Sequence, residues 1–243
     1  MGARARDGGV RGFSGLFPGL DIRLVTLPIN FLVPLGREYI LSMGCVNSKK
    51  DTFRKNLARG PGSSLVVVVG GAEESMSVTE GGMQLVLEKR KGFVREAIKA
   101  NANLVPVLAY GENDLYKTIH LDKESFGGKL QRAFKKVAGF NMPLFVGRSM
   151  FVKSGGFMPR RTPLTIVVGK PLPPPPIDEA RRKSFKPKFE PTGDRAPAND
   201  DGVLCEEHHR AYVNALLELY NSTKNMPWNA PGLARNESLR IFK

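Results

Sequence analysis

The chain has 243 residues and a mass of 26.7 kDa, enough to bury a sizeable core as one domain or two small ones without disulfide or metal staples. A composition that is 41% hydrophobic and 25% charged is globular and excludes wholesale disorder. Lysine and arginine number 37 against 23 aspartates and glutamates, a formal net charge of +14, so the long-range field favours anionic partners: nucleic acid, acidic lipid or a phosphorylated ligand.

Residues 1–15 are rich in glycine and arginine without an apolar period and read as a disordered basic arm. An α/β core is expected over 16–172. Residues 22–27 suit a strand, and residues 31–43 a helix or helix-turn weakened at Gly36; Asp51 is placed to cap a helix carrying Phe53 and Leu57. The β-branched run 65–69, ending at Gly70 and Gly71, fits a central strand of a parallel or mixed sheet.

Over 83–100 apolar Phe93, Val94, Ala97, Ile98 and Ala100 fall at helical spacing between Lys89, Arg90, Lys91, Arg95 and Lys99. Residues 104–110 suit the next strand, and the order strand, glycine turn, helix, strand predicts a βαβ crossover. An amphipathic stretch follows, carrying Leu130, Phe134 and Val137, and then strands at 144–146 and 164–168. The expected fold class is α/β, with a mixed, largely parallel central sheet and helices on both faces.

Residues 173–202 combine a proline run with a charge-rich stretch and read as a linker or surface insertion. From 203 to 224, Leu204, His208, Ala211, Tyr212, Ala215, Leu216 and Leu219 share one face of a C-terminal helix of the same domain, expected to pack back on the sheet. Residues 225–243 read as a loose tail. Cys45 and Cys205 are far apart, and no signal-peptide pattern opens the sequence, so two reduced thiols facing the cytosol are expected. The histidines, His120, His208 and His209, form no metal-ligand spacing with them. Neither 24–35, broken by Pro28, Asn30 and Pro34, nor the short run 65–69 reaches the roughly 18 to 20 apolar residues of a spanning helix.

Two segments are placed to carry chemistry. In Gly70-Gly71-Ala72-Glu73-Glu74-Ser75, glycines after a buried strand let the backbone approach a ligand at a sheet's carboxyl end; a tight turn with a capping acid explains them equally. The pattern is neither GxGxxG nor GxxxxGK[ST]. Arg90-Lys91-Gly92-Phe93, with Arg95, is a basic cluster able to hold the phosphates of a ligand such as coenzyme A through charge-assisted hydrogen bonds, or else a solvated helix face.

Taken in order with Phe17-Pro18-Gly19, Asn30-Phe31, Arg37-Glu38-Tyr39, Tyr110-Gly111-Glu112-Asn113, Gly147-Arg148 and Gly169-Lys170-Pro171, these segments resemble successive blocks of the type-two diacylglycerol acyltransferase and monoacylglycerol acyltransferase family over residues 17–172. His209, Tyr212 and Ala215-Leu216 resemble its terminal helix. The resemblance implies a glycerolipid-acyltransferase-like fold at the endoplasmic reticulum membrane, on its cytosolic face, or on lipid droplets. It implies transfer of a fatty acyl group from acyl-CoA to a diacylglycerol-type hydroxyl, giving triacylglycerol. Acyl-CoA is then a co-substrate rather than a resident cofactor, and the other partners are a neutral-lipid acceptor and a membrane surface. Nucleic acid is not expected, because the aromatic residues do not interleave with the basic stretches and no nucleic-acid-binding motif occurs.

Residue by residue, Glu74 falls on the acid position of the family's glycine block, where it would orient the catalytic histidine or a substrate hydroxyl. Arg90, Lys91, Gly92 and Phe93 fall on the block assigned to coenzyme A. Asn30, Arg37 and Arg148 match further family positions, and Glu112 follows a strand end beside the same cleft. The family's general base is the histidine of a His-Pro-His-Gly motif before the Phe-Pro-Gly block, working with donors that stabilise the oxyanion. No histidine and no hydrophobic hairpin precedes Phe17 here, so the 243 residues alone are not expected to catalyse transfer. Two accounts fit: these residues continue a longer protein, or they are a shortened lipid- or CoA-binding paralogue. The intact downstream blocks favour the first.

Overall fold

The computed structural model describes residues 13–32, 34–70, 84–119, 144–149, 156, 158–190, 196–226 and 240–242. The chain packs as two units, Met1–Val68 and Val69–Lys243.

In the first unit the described elements are α1 (Phe13–Leu16), β1 (Asp21–Thr26), a 3-10 turn at Pro28–Phe31, α2 (Gly36–Ser42), β2 (Val46–Asn47), α3 (Lys50–Leu57) and β3 (Ser63–Val66). β1 lies between the other two strands and is parallel to both, with Asp21 opposite Ser63, Leu24 opposite Val66 and Val25 opposite Val46. The β-branched run therefore enters a parallel ladder, but only its first part is strand, and β1 holds the middle. Asp51 does not cap α3: Lys49 is the residue before it, and Asn47 Oδ1 accepts instead from the Lys49 amide (3.0 Å) and the Thr52 hydroxyl (2.6 Å). Asp51 sits in the first turn, where its charge favours the helix dipole. Gly36 opens α2 rather than weakening it.

In the second unit β4 (Gln84–Val86) leads to α4 (Gly92–Ala100), then β5 (Val107–Tyr110), β6 (Lys117–Ile119), β7 (Leu144–Val146), β8 (Thr165–Val168), α5 (Glu179–Ser184), α6 (Asp200–Thr223) and β9 (Arg240–Phe242). β5 is antiparallel to β8 and β6 to β7, whereas β4 is parallel to β9. The chain is thus mixed α/β, with its described strands in four separate sheets. Among the described residues β5 takes β8 as its partner, and the pair is antiparallel; an apolar β-branched run suits either direction of pairing. Gly111 closes β5 at φ +87, and a Cβ there would meet the Pro163 carbonyl oxygen at 2.1 Å, so only glycine fits the turn.

Two apolar clusters form the core of this unit. Leu87, Leu108, Tyr110, Leu216 and Tyr220 form one, with the Tyr110 hydroxyl donating to Thr223 Oγ1 at 2.7 Å. Val94, Ile98, Phe185 and Cys205 form the other. Residues 173–202, expected as a surface insertion, contribute Phe185 at 0% exposure to the second cluster. Arg182 ties the same segment to α4 by donating to the carbonyls of Ile98 (2.8 Å) and Ile177 (2.9 Å). Asn199 caps α6 by accepting from the Gly202 amide (2.8 Å) and also accepts from the Lys188 amide (2.9 Å). Two phenylalanines, Phe185 and Phe189, among charges and prolines leave too short a pattern to read as a period, which is why composition alone points to the surface. The tail likewise supplies β9, with Leu85 opposite Ile241, instead of being loose throughout. Both cysteines are free, and both are buried.

Phe185→Ala is expected to destabilise the protein by about 3 kcal/mol through the cavity it leaves. Urea denaturation followed by circular dichroism checks this; a change below about 0.5 kcal/mol, as for a surface residue, contradicts the packing.

Candidate active site

The basic block does not lie on a helix face. Residues 87–91 form a turn between β4 and α4, closed by the Arg90 amide donating to the Leu87 carbonyl at 2.9 Å, and Lys91 is the residue that precedes α4. No side chain caps α4 and no acidic residue occupies its first turn. Arg90 is exposed, and a Cβ on Gly92 would find open space.

α6 supports this turn with residues three apart on one face. The Lys91 ammonium pairs with the Glu206 carboxylate and lies 4.7 Å from the centre of the Phe189 ring. His209 Nε2 is 3.1 Å from the Leu87 carbonyl oxygen; since a carbonyl only accepts, the neutral ring carries its proton on Nε2. Phe93 meets His209 and Tyr212 edge-on, with ring centres 6.1 and 5.1 Å apart. The block's basic, glycine and aromatic residues thus split their work: Phe93 anchors the start of α4, Gly92 leaves room, and Arg90 reaches solvent.

Burial holds the pKa of both His208 and His209 below the ordinary imidazole value, the Leu87 carbonyl opposing the shift at His209. Burial also pushes the Cys205 thiol up to about 11, with the neighbouring Glu206 charge adding to it, and the Tyr212 hydroxyl up to about 12. These thiol and phenol groups stay protonated at neutral pH. His209, packed and hydrogen-bonded, is a structural residue of the turn.

The other expected site residues are placed as follows. Asn30 is exposed and donates from Nδ2 to Thr26 Oγ1 at 2.7 Å, bracing the turn after β1, and Arg37 is exposed in the first turn of α2. Glu112 is exposed in the turn after β5, where its carbonyl accepts from the Leu115 amide at 3.1 Å. Arg148 donates from Nε to the Pro159 carbonyl at 3.1 Å, and its backbone bridges that of Met158. Glu74 and His120 lie outside the described residues. Sequence reasoning missed Glu206 and Phe189, both far downstream of Lys91; the three-residue spacing of Glu206 and His209 was the one available signal that they share a face.

Among the described residues an exposed basic turn is backed by an aromatic helix face, and no helix is long and apolar enough to cross a membrane. The chain belongs to the diacylglycerol acyltransferase family, whose model matches residues 5–187. It is 37% identical to diacylglycerol O-acyltransferase 2A of Umbelopsis ramanniana over 216 residues, 88% of this chain and 56% of that protein. It is 36% identical to diacylglycerol O-acyltransferase 2 of Xenopus tropicalis over 232 residues, 95% of this chain and 58% of the relative. Over 232 residues it is also 35% identical to 2-acylglycerol O-acyltransferase 1 of Bos taurus, covering 62% of that protein. The chain therefore spans little more than half the length of these relatives. No solved structure matches it.

The two buried histidines predict an acid-sensitive fold. Unfolded, they titrate near 6.5; folded, they titrate lower, so between the two values the unfolded chain binds more protons and stability rises with pH. Their contribution is complete above about pH 6.5 and is lost as pH falls through the folded values. Thermal melts from pH 7.5 to 5 are expected to show this decline, and the double variant His208→Leu/His209→Gln, which keeps a donor to Leu87, is expected to flatten it.

Proposed function

We propose that the chain is the acyl-donor-binding part of an acyl-CoA-dependent O-acyltransferase that converts a diacylglycerol-type acceptor to triacylglycerol at a membrane surface. The observation that carries this reading is the family match across residues 5–187, with the Arg90-Lys91-Gly92-Phe93 block formed as an exposed basic turn. The names of the relatives, diacylglycerol O-acyltransferases and a 2-acylglycerol O-acyltransferase, support the acceptor class.

In the reaction the acceptor hydroxyl oxygen attacks the thioester carbonyl carbon, a base takes the hydroxyl proton, and the C–S bond breaks to release coenzyme A as its thiol. Arg90, at the open end of α4, supplies a cation for the donor's phosphates, and the helix's positive end adds to it. Glu74 would orient the base or the acceptor hydroxyl. The base is not His208 or His209, which are buried in α6. It is the histidine of a His-Pro-His-Gly segment, which these 243 residues do not contain. Asn30, Arg37, Glu112 and Arg148 are assigned to the substrate-binding surface by the family blocks alone. Residues 16–172 are proposed as the acyltransferase core, with 203–224 belonging to the same domain.

The test joins a relative's His-Pro-His-Gly segment to this chain and supplies radiolabelled oleoyl-CoA and vesicles containing diacylglycerol. Triacylglycerol is expected from the joined protein and not from the 243 residues alone; a joined protein that folds but makes none rejects the reading. Within the active protein, Arg90→Gln is expected to raise KM for oleoyl-CoA about tenfold, the value of one charge-assisted hydrogen bond, with little change in kcat.

A further inference from the structure

In the first unit, residues 27–43 leave the carboxyl end of β1 as the 3-10 turn and α2, and they expose their apolar side chains instead of burying them. Neither element contains a buried residue. Leu32 is 78% exposed, Leu35 85% and Tyr39 65%, and Leu27, Leu41 and Met43 are exposed as well. The Tyr39 amide donates to the Leu35 carbonyl and the Met43 amide to the Tyr39 carbonyl, both at 3.2 Å, so Leu35, Tyr39 and Met43 form one stripe along the helix. Leu35 is held at φ +63, a strained conformation for a leucine, while its side chain stands in solvent. Contiguous exposed apolar residues of this kind mark a contact surface. Their surroundings carry positive charge. Arg37 is exposed on α2, and β2 runs parallel to β1 with Thr26 opposite Asn47, so the exposed Lys49 and Lys50 that follow β2 stand at the same end of the sheet as Leu27. Residues 13–68 hold seven lysines and arginines against three acids.

We propose that residues 27–43, with Lys49 and Lys50, form a lipid-insertion surface that lies on an anionic bilayer rather than spanning it. Leucines with a tyrosine among them and cations at the rim fit such a surface on each count. The leucines enter the boundary of the acyl chains, Tyr39 sits at headgroup level, and the lysines meet lipid phosphates. This rests on the membrane-surface part of the reading above and adds to it the part of the chain that touches lipid. No helix among the described residues is long and apolar enough to span a membrane, and this contact needs none. Asn30 and Arg37, assigned above to substrate binding by the family blocks, belong to the same segment. A neutral-lipid acceptor dissolved in the bilayer therefore meets this part of the chain without passing through water.

The contact is read by sedimenting the 243-residue chain with vesicles of phosphatidylcholine containing a minority of phosphatidylserine, with circular dichroism confirming the fold of each variant. Leu32→Ser/Leu35→Ser is expected to lower vesicle affinity about tenfold at low and high salt alike, since both side chains are exposed and their loss weakens partition rather than folding. Lys49→Gln/Lys50→Gln is expected to lower it about tenfold at low salt and little at high salt. Leu164→Ser/Ile166→Ser, which removes two exposed apolar residues of the second unit, is expected to bind as wild type does. With Tyr39→Trp in a Trp228→Phe background, emission is expected to shift to the blue when vesicles are added. The proposal is overturned if wild type does not bind the vesicles, if the Leu32/Leu35 variant binds as tightly as wild type, if the Leu164/Ile166 variant loses as much, or if the lysine variant is unchanged at low salt. It is also overturned if, in the protein joined to a relative's His-Pro-His-Gly segment, the Tyr39→Trp emission is already blue before vesicles are added, because the joined segment then covers the face. Vesicle binding needs no acyl transfer. A joined protein that binds lipid through these residues but makes no triacylglycerol rejects the function proposed above and upholds the surface.

Discussion

The long helix α6 must bury a face, and what it buries against organises the second unit. Cys205 packs with Val94 and Ile98 of α4 and with Phe185, while Leu216 and Tyr220 pack with Leu87, Leu108 and Tyr110. One helix thereby covers both the start of α4 and the end of β5, elements separated by a turn and joined to it by no regular hydrogen bonding. The apolar contacts supply the driving force, since burial of such side chains is worth on the order of 1.5–3 kcal/mol each. Polar groups on the same helix then set details: His209 fixes the Leu87 carbonyl, and Thr223 accepts from Tyr110.

That arrangement explains why the segment richest in charge also carries a core residue. Residues 185–188 run beside the first turn of α6, where Asp201 accepts from the Lys186 amide and Asn199 from the Lys188 amide. Backbone capture of this kind satisfies the free donors of an irregular stretch and holds Phe185 in place. The charged side chains around it stay at the surface, so the segment is polar in composition and still indispensable to packing.

The net charge of the chain, +14, gives an attraction to anions at long range, but the local distribution decides what a ligand meets. Lys91 is tied to Glu206, Arg95 to Glu96, and Arg148 and Arg182 to backbone carbonyls. Much of the basic excess near the second unit's core thus serves structure. The family blocks mark sequence positions, and the fold divides those positions into cations that reach solvent and cations that brace turns.

By itself the sequence determined that the chain is α/β, that residues 22–27 suit a strand and 65–69 a strand of a parallel or mixed sheet, that a helix occupies the C-terminal third, and that ordered blocks identify the family. These are local signals: period, β-branched runs, glycine turns and short motifs that need no partner to be read. Only the tertiary structure decided which way β5 pairs, that α4 begins at Gly92 so that Arg90 and Lys91 stand in a turn, that Phe185 is core, and that Glu206 meets Lys91. Each of these joins residues distant in sequence, where spacing carries no information and the outcome depends on how two apolar faces come together.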